Sequence, residues 1–230
     1  MKLDINQQSM AIIIFARLNS KRLPKKVLQK IKSKPLLLLI IDRIKIKSKF
    51  KIPIIVATSN NKSDDEIEVF CKKHKIKIFR GDLSNVYKRS LDCFDKFNLK
   101  SFIRVCADRP FFDVGLMDRM INKFINSKFD IITNQHPRTY PKGLACEVAR
   151  TNIFFEVSKS QLSKNYKEHI FNYFYKNAKK YKIYNFSLNK KYANLKNKDF
   201  SINNNKDLFK INNIYNKHTK KKYIDLLKIL

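Results

Sequence analysis

Residues 11–26 read Ala11-Ile12-Ile13-Ile14-Phe15-Ala16-Arg17-Leu18-Asn19-Ser20-Lys21-Arg22-Leu23-Pro24-Lys25-Lys26. The first six are apolar without a break and rich in β-branched residues. A strand of that kind is buried on both faces, as in the middle of a parallel sheet covered by helices. The next ten carry five cations: Arg17, Lys21, Arg22, Lys25 and Lys26. In open α/β sheets, ligands bind beyond the carboxyl ends of the strands. A cationic loop at that place suits phosphates, which need charge and hydrogen-bond donors on several oxygens at once. Arg17, Arg22 and Lys26 are the candidates to supply them, with Pro24 stiffening the turn. The loop has no glycine, which excludes a Walker A loop and a dinucleotide fingerprint. On charge alone it reads equally as one more basic loop in a basic chain.

Outward from this stretch, apolar runs alternate with amphipathic ones. Strands are expected at 11–16, 53–58, 77–79, 102–106 and 130–133. Helices are expected at 36–47, 64–74, 86–97 and 115–126. Ser63 followed by Glu66 reads as a capping box ahead of an apolar face at Ile67, Phe70 and Cys71, and Asp113 reads as an N-cap for the helix after it. The alternation implies α/β architecture with a mostly parallel sheet between two helical layers. The pattern changes after residue 134. A polar loop at 134–143 precedes a strand at 145–149, an aromatic-rich helix at 168–180, short strands at 182–186 and 200–202, and closing helices at 206–216 and 220–229. This is a small β-containing insertion on the main sheet. No repeat or linker divides the chain, so residues 1–230 are expected to form a single domain, with 1–9 as a disordered extension.

The formal net charge is +31. Residues 1–150 hold 32 basic and 14 acidic side chains, and residues 151–230 hold 18 and 5. Charge so dispersed fits a solvated lysine coat and leaves general attraction for anions. No nucleic-acid-binding motif accompanies it. No apolar run approaches the roughly 18 residues of a membrane span, and residues 1–9 lack a signal core. A cytoplasmic protein is expected. The four cysteines show no CxxC pairing and read as buried, reduced thiols.

Arg17-x-x-Ser20-Lys21-Arg22-Leu23-Pro24-x-Lys26 after a first strand resembles the signature of cytidylyltransferases that make CMP-activated sugar acids. That group includes acylneuraminate and 3-deoxy-manno-octulosonate cytidylyltransferases, and the spore-coat-polysaccharide type resembles this chain most. The resemblance runs on through Val56-Ala57-Thr58-Ser59, Phe79-Arg80-Gly81-Asp82, residues 104–113 around Ala107-Asp108-Arg109-Pro110, and Pro137-Arg138-Thr139-Tyr140-Pro141-Lys142-Gly143-Leu144. It is weaker through Glu168-His169 and residues 201–208. It implies a Rossmann-like, three-layer α/β/α nucleotidyltransferase fold. It also implies CTP and an acidic sugar as substrates, Mg²⁺ as cofactor, and a homodimer.

By the same resemblance, the nucleotide falls to Arg17, Ser20, Arg22, Lys26, Thr58, Ser59, Arg80 and Gly81. The catalytic set is Arg17, Arg22, Lys26 and Asp108. Asp108 is the metal ligand, against the plainer reading of a turn or capping residue. Arg80 also reads as a surface arginine. Arg138, Tyr140 and Glu147 are assigned to the sugar, with Arg138 suited to a carboxylate because its fork binds bidentately; a two-proline structural turn is the competing view. His169 reads either as a general base or as a packed residue. Three positions depart from the pattern. Lys25 stands where Gly or Asn is common, Ala145 where an acid is common, and Asn203 where a second metal carboxylate is expected. These readings point to CMP transfer from CTP for surface polysaccharide synthesis. The alternatives are a glycosyl-transferring enzyme of the same fold, a catalytically impaired relative, and a non-catalytic binding protein.

Overall fold

The computed structural model describes residues 3–4, 9–218 and 226–228. β1 (Met10–Phe15), α1 (Leu36–Lys47), β2 (Ile54–Ser59), α2 (Asp65–Lys73), β3 (Lys77–Gly81), α3 (Val86–Lys96), β4 (Ser101–Cys106), α4 (Val114–Ile125) and β5 (Ile131–Thr133) follow one another. Then come β6 (Glu147–Arg150), α5 (Asn152–Phe155), α6 (Lys164–Glu168), α7 (Asn172–Lys176), β7 (Ile183–Asn185) and α8 (Asn205–Lys217). The seven strands form one sheet in the order β7-β5-β6-β4-β1-β2-β3. β1 lies in the middle, pairing parallel with β2 and β4, so that Ile12 faces Ile54 on one side and Ile103 on the other.

The unbroken apolar run of β1 has the physical consequence expected of it. Ile12 and Ile14 join a core covered by α1, α2, α4 and α8. Ala11 and Ile13 join a second core, under α3, α5 and α7. This is the three-layer α/β/α arrangement. The segment after residue 134 adds two strands to the same sheet. β6 enters between β4 and β5, antiparallel to both, while β7 lies parallel to β5 at the edge. Asp113 caps α4 by accepting from the Leu116 amide at 2.8 Å.

Four local expectations are corrected. Ser63 and Glu66 form no capping box. Asn61 instead accepts from the Ser63 amide, and Glu66 pairs with Lys25. The single helix expected at 168–180 is broken after Glu168, where His169 leaves helical geometry at φ −110°, ψ 81°. The break turns Ile170 and Phe171 into the core. Residues 200–202 form no strand. They lie against the loop at Gly143, where φ is +90° and an added Cβ would sit 2.7 Å from the Phe200 carbonyl carbon. Cys106 is only half-buried, unlike the other three cysteines. Of the stretch at 1–9, the described pair Leu3–Asp4 is bridged to Phe50–Lys51. The helix expected at 220–229 lies outside the described residues apart from a turn at Leu226–Lys228.

Candidate active site

A cavity of about 590 Å³ opens beyond the carboxyl ends of β1 and β4. The loop after β1 forms one wall. It is pegged down by Leu18, Leu23 and Val27, all buried, and each such side chain contributes about 1.5–3 kcal/mol. Its exposed ion pair, Lys25 with Glu66, contributes at most about 1 kcal/mol. Apolar anchoring therefore sets the shape of the loop and leaves Arg17, Lys21, Arg22 and Lys26 facing the cavity. A further tie comes from Asp64, which is fully buried. Asp64 accepts from the Leu18 amide at 2.7 Å, from the Ser59 amide at 3.2 Å and from the Ser59 hydroxyl. It joins the loop to the end of β2.

Six cationic side chains line the cavity: Arg17, Lys21, Arg22, Lys26, Arg89 and Arg104. They face two carboxylates, Asp108 and Glu168. Lys26 Nζ lies 3.0 Å from Asp108 Oδ2, and Arg17 Nη2 lies 2.8 Å from Glu168 Oε1. The surplus of positive charge suits a polyanion whose own charge is spread over several groups. Asp108 follows β4 directly, and its carbonyl accepts from the Ile202 amide at 3.0 Å. That contact brings Asn203 close to Asp108 along the chain. The Asn203 side-chain amide itself donates to the Ser201 hydroxyl at 3.0 Å.

The structure gathers Arg17, Ser20, Arg22, Lys26 and Asp108 around one space. His169 also lines it, at the break between α6 and α7. The other expected residues lie elsewhere. Thr58 and Ser59 are wholly buried, with the Ser59 hydroxyl given to Asp64. Arg80 donates to the carbonyls of Ser59 and Asn61 at 3.0 and 2.9 Å and pairs with Asp65 and Glu68. It is a structural clamp between β3 and α2. Arg138 is exposed, and Tyr140 is buried in the first core, where burial raises its pKa. Glu147 is 2% exposed and stands opposite Arg104 across the β4–β6 pair, with Oε1 3.4 Å from Arg104 Nη1. Burial works against the Arg104 charge, but Glu147 and Cys106 more than offset it and raise its pKa. Glu147 thus acts behind the cavity, through Arg104.

Arg89 and Arg104 were not among the residues expected. Both carried a signal. Arg104 interrupts an otherwise apolar strand, and Arg89 falls on the face of α3 that carries Val86, Cys93 and Phe94. A cation on a buried face needs a reason.

The sequence profile of a family described as Cytidylyltransferase matches residues 11–227. The chain belongs to that family. This cytidylyltransferase-family chain is 32% identical over 164 residues to the spore coat polysaccharide biosynthesis protein SpsF of Bacillus subtilis. The aligned stretch covers 69% of the chain and 66% of that relative, just under two thirds of its length. The fold matches a cytidylyltransferase from Leptospira borgpetersenii with a TM-score of 0.80 at 22% identity, covering 93% and 96% of the two chains. It also matches CMP:2-keto-3-deoxy-manno-octonic acid synthetase complexed with CTP, at 0.67 and 14%, covering 91% and 99%. Among the described residues no helix is long and apolar enough to cross a membrane.

Proposed function

We propose that this chain transfers CMP from CTP to an acidic sugar, of sialic-acid or 3-deoxy-manno-octulosonate type, and releases pyrophosphate. The setting we propose is the cytoplasm, in the synthesis of a surface polysaccharide. One observation carries the reading: six cations and Asp108 converge on a single cavity at the carboxyl ends of β1 and β4. The spore coat polysaccharide relative and the CTP-complexed fold neighbour support it.

In such a reaction the anomeric hydroxyl of the sugar attacks the α-phosphate in line. Positioning and charge neutralisation supply most of the rate. Arg17, Arg22 and Lys26 hold the triphosphate from the loop, with Ser20 among its hydrogen-bond donors. Lys26 and Asp108 pair in the free protein. A phosphate oxygen on Lys26 would free the Asp108 carboxylate. The donor set fits Mg²⁺ in its sparest form, one carboxylate completed by phosphate oxygens, and among the described residues no cluster of three His, Cys, Asp or Glu side chains offers more. Bound there by Asp108, Mg²⁺ would neutralise charge developing on the phosphates.

The test is a thermal-shift comparison of the four nucleoside triphosphates with Mg²⁺. A ligand that binds only the native state raises its melting temperature by mass action. CTP is expected to give the largest shift. Equal shifts for all four would leave a triphosphate site and remove the cytidine assignment.

A further inference from the structure

Arg89 sits in the first turns of α3, on the side turned to the sheet, and is only 2% exposed. Its Nη1 donates to the Asp82 carbonyl at 3.0 Å, while its Nε is buried without a hydrogen-bond partner. Among the described residues no carboxylate forms an ion pair with it, in contrast to Arg17, Arg80 and Arg104. Burial, then the nearby Arg17 charge, lowers its pKa, and Asp64, Glu168 and Asp82 oppose this only in part from beyond ion-pair distance; a guanidinium stays protonated in proteins. An unpaired buried charge costs stability unless something else compensates it. The fold nonetheless makes room for it. A Cβ at Gly81 would sit 2.9 Å from the Arg89 Cγ, 3.0 Å from the Phe79 Cε1 and 3.3 Å from the Arg89 Cβ, and Gly81 has no left-handed φ that would demand glycine. One of the three glycines in the chain is therefore explained by the stem of this arginine together with the Phe79 ring. Arg89 lines the cavity together with Arg17.

We propose that Arg89 is an oxyanion-binding residue of this cavity, taking a phosphate of the nucleotide together with Arg17, and that Gly81 is its positioning residue. The inference rests on the nucleotidyltransferase reading of the cavity. A guanidinium fork matches phosphate in plane and in charge. Arg17 is held by Glu168 in the free protein, so an arriving phosphate replaces an internal carboxylate at Arg17 and supplies the missing one at Arg89. The carboxylate of an acidic sugar has similar chemistry, and the probes below separate the two.

Inorganic pyrophosphate, CTP and cytidine are titrated calorimetrically into the wild type, Arg89→Met and Gly81→Ala, and the melting temperature of each free protein is measured. Arg89→Met is expected to weaken pyrophosphate and CTP roughly ten- to hundredfold, the range for a charged hydrogen bond. Cytidine should be unaffected. The free variant should melt at the same temperature or higher, because the substitution removes a buried charge that no ion pair holds and that the field of Asp64, Glu168 and Asp82 offsets only in part; a purely structural arginine would give the opposite. Gly81→Ala should weaken pyrophosphate in the same direction by displacing Arg89. The proposal is overturned if the wild type fails to bind pyrophosphate, if Arg89→Met binds it as well as the wild type, if cytidine weakens in parallel, or if the loss comes with a fall in the free variant's melting temperature. A wild type that binds pyrophosphate as tightly as CTP and does not bind cytidine refutes the cytidine assignment alone.

Discussion

Lys25 adopts φ 51°, ψ 29°, in the left-handed region. That conformation explains why Gly or Asn is common at the matching place in the resembling family: a Cβ costs roughly 1–2 kcal/mol there. The Lys25 ion pair with Glu66 is exposed on both sides and offsets little of this. Lys25→Gly is therefore expected to stabilise the protein by up to about 1 kcal/mol in urea denaturation, with the cavity unchanged. A loss of stability would show that the Glu66 contact outweighs the backbone strain. Asn203 makes a second prediction at this scale. Its chain neighbour Ile202 is tied to the Asp108 carbonyl, so a carboxylate at 203 would stand near the proposed metal ligand. Asn203→Asp should lower the Mg²⁺ concentration needed for half-maximal turnover at fixed CTP, since more charged ligands hold a hard cation more tightly. An unchanged or raised requirement refutes that placement.

At the scale of elements, the loop after β1 depends on a buried carboxylate that lies beyond α1 and β2 in sequence. Asp64 precedes α2 and joins the Leu18 amide to the Ser59 amide and hydroxyl. Asp64→Asn leaves at least one of those donors without its acceptor. A cost of about 1–3 kcal/mol is expected, along with a smaller thermal shift on CTP addition because the loop loses its tether. Wild-type stability in this variant would mean that Leu18, Leu23 and Val27 suffice. The strands and the cationic loop were legible because their signals are local: β1 is apolar throughout, and the cations follow it directly. The break after Glu168 was not, because Tyr173 and Phe174 continue the aromatic spacing across it while His169 departs from helical geometry. Ser59, Arg80 and Tyr140 were assigned to ligands because no sequence pattern ties them to the partners they take in the fold. Asp64, Asp65 with Glu68, and the first core are visible only once the chain is folded. Arg89 and Arg104 were missed for a related reason, since only the tertiary structure shows that their buried faces border the cavity.

For the whole molecule, the net charge of +31 is spread over both halves of the sequence, yet the described fold concentrates six cations in one concavity. A low-dielectric cleft of one sign focuses its field on an incoming polyanion. CTP turnover should therefore slow as ionic strength rises, through kcat/KM more than kcat. The central claim, nucleotidyl transfer in this cavity, is tested most directly by measuring pyrophosphate release. Each of the four nucleoside triphosphates is offered with Mg²⁺ and a panel of 2-keto-3-deoxy sugar acids, to the wild type and to Asp108→Asn. Release from CTP that requires one of these acids, and that Asp108→Asn abolishes while keeping the melting temperature, is the expected result. Release from no triphosphate with any sugar acid, or full activity in Asp108→Asn, would contradict it.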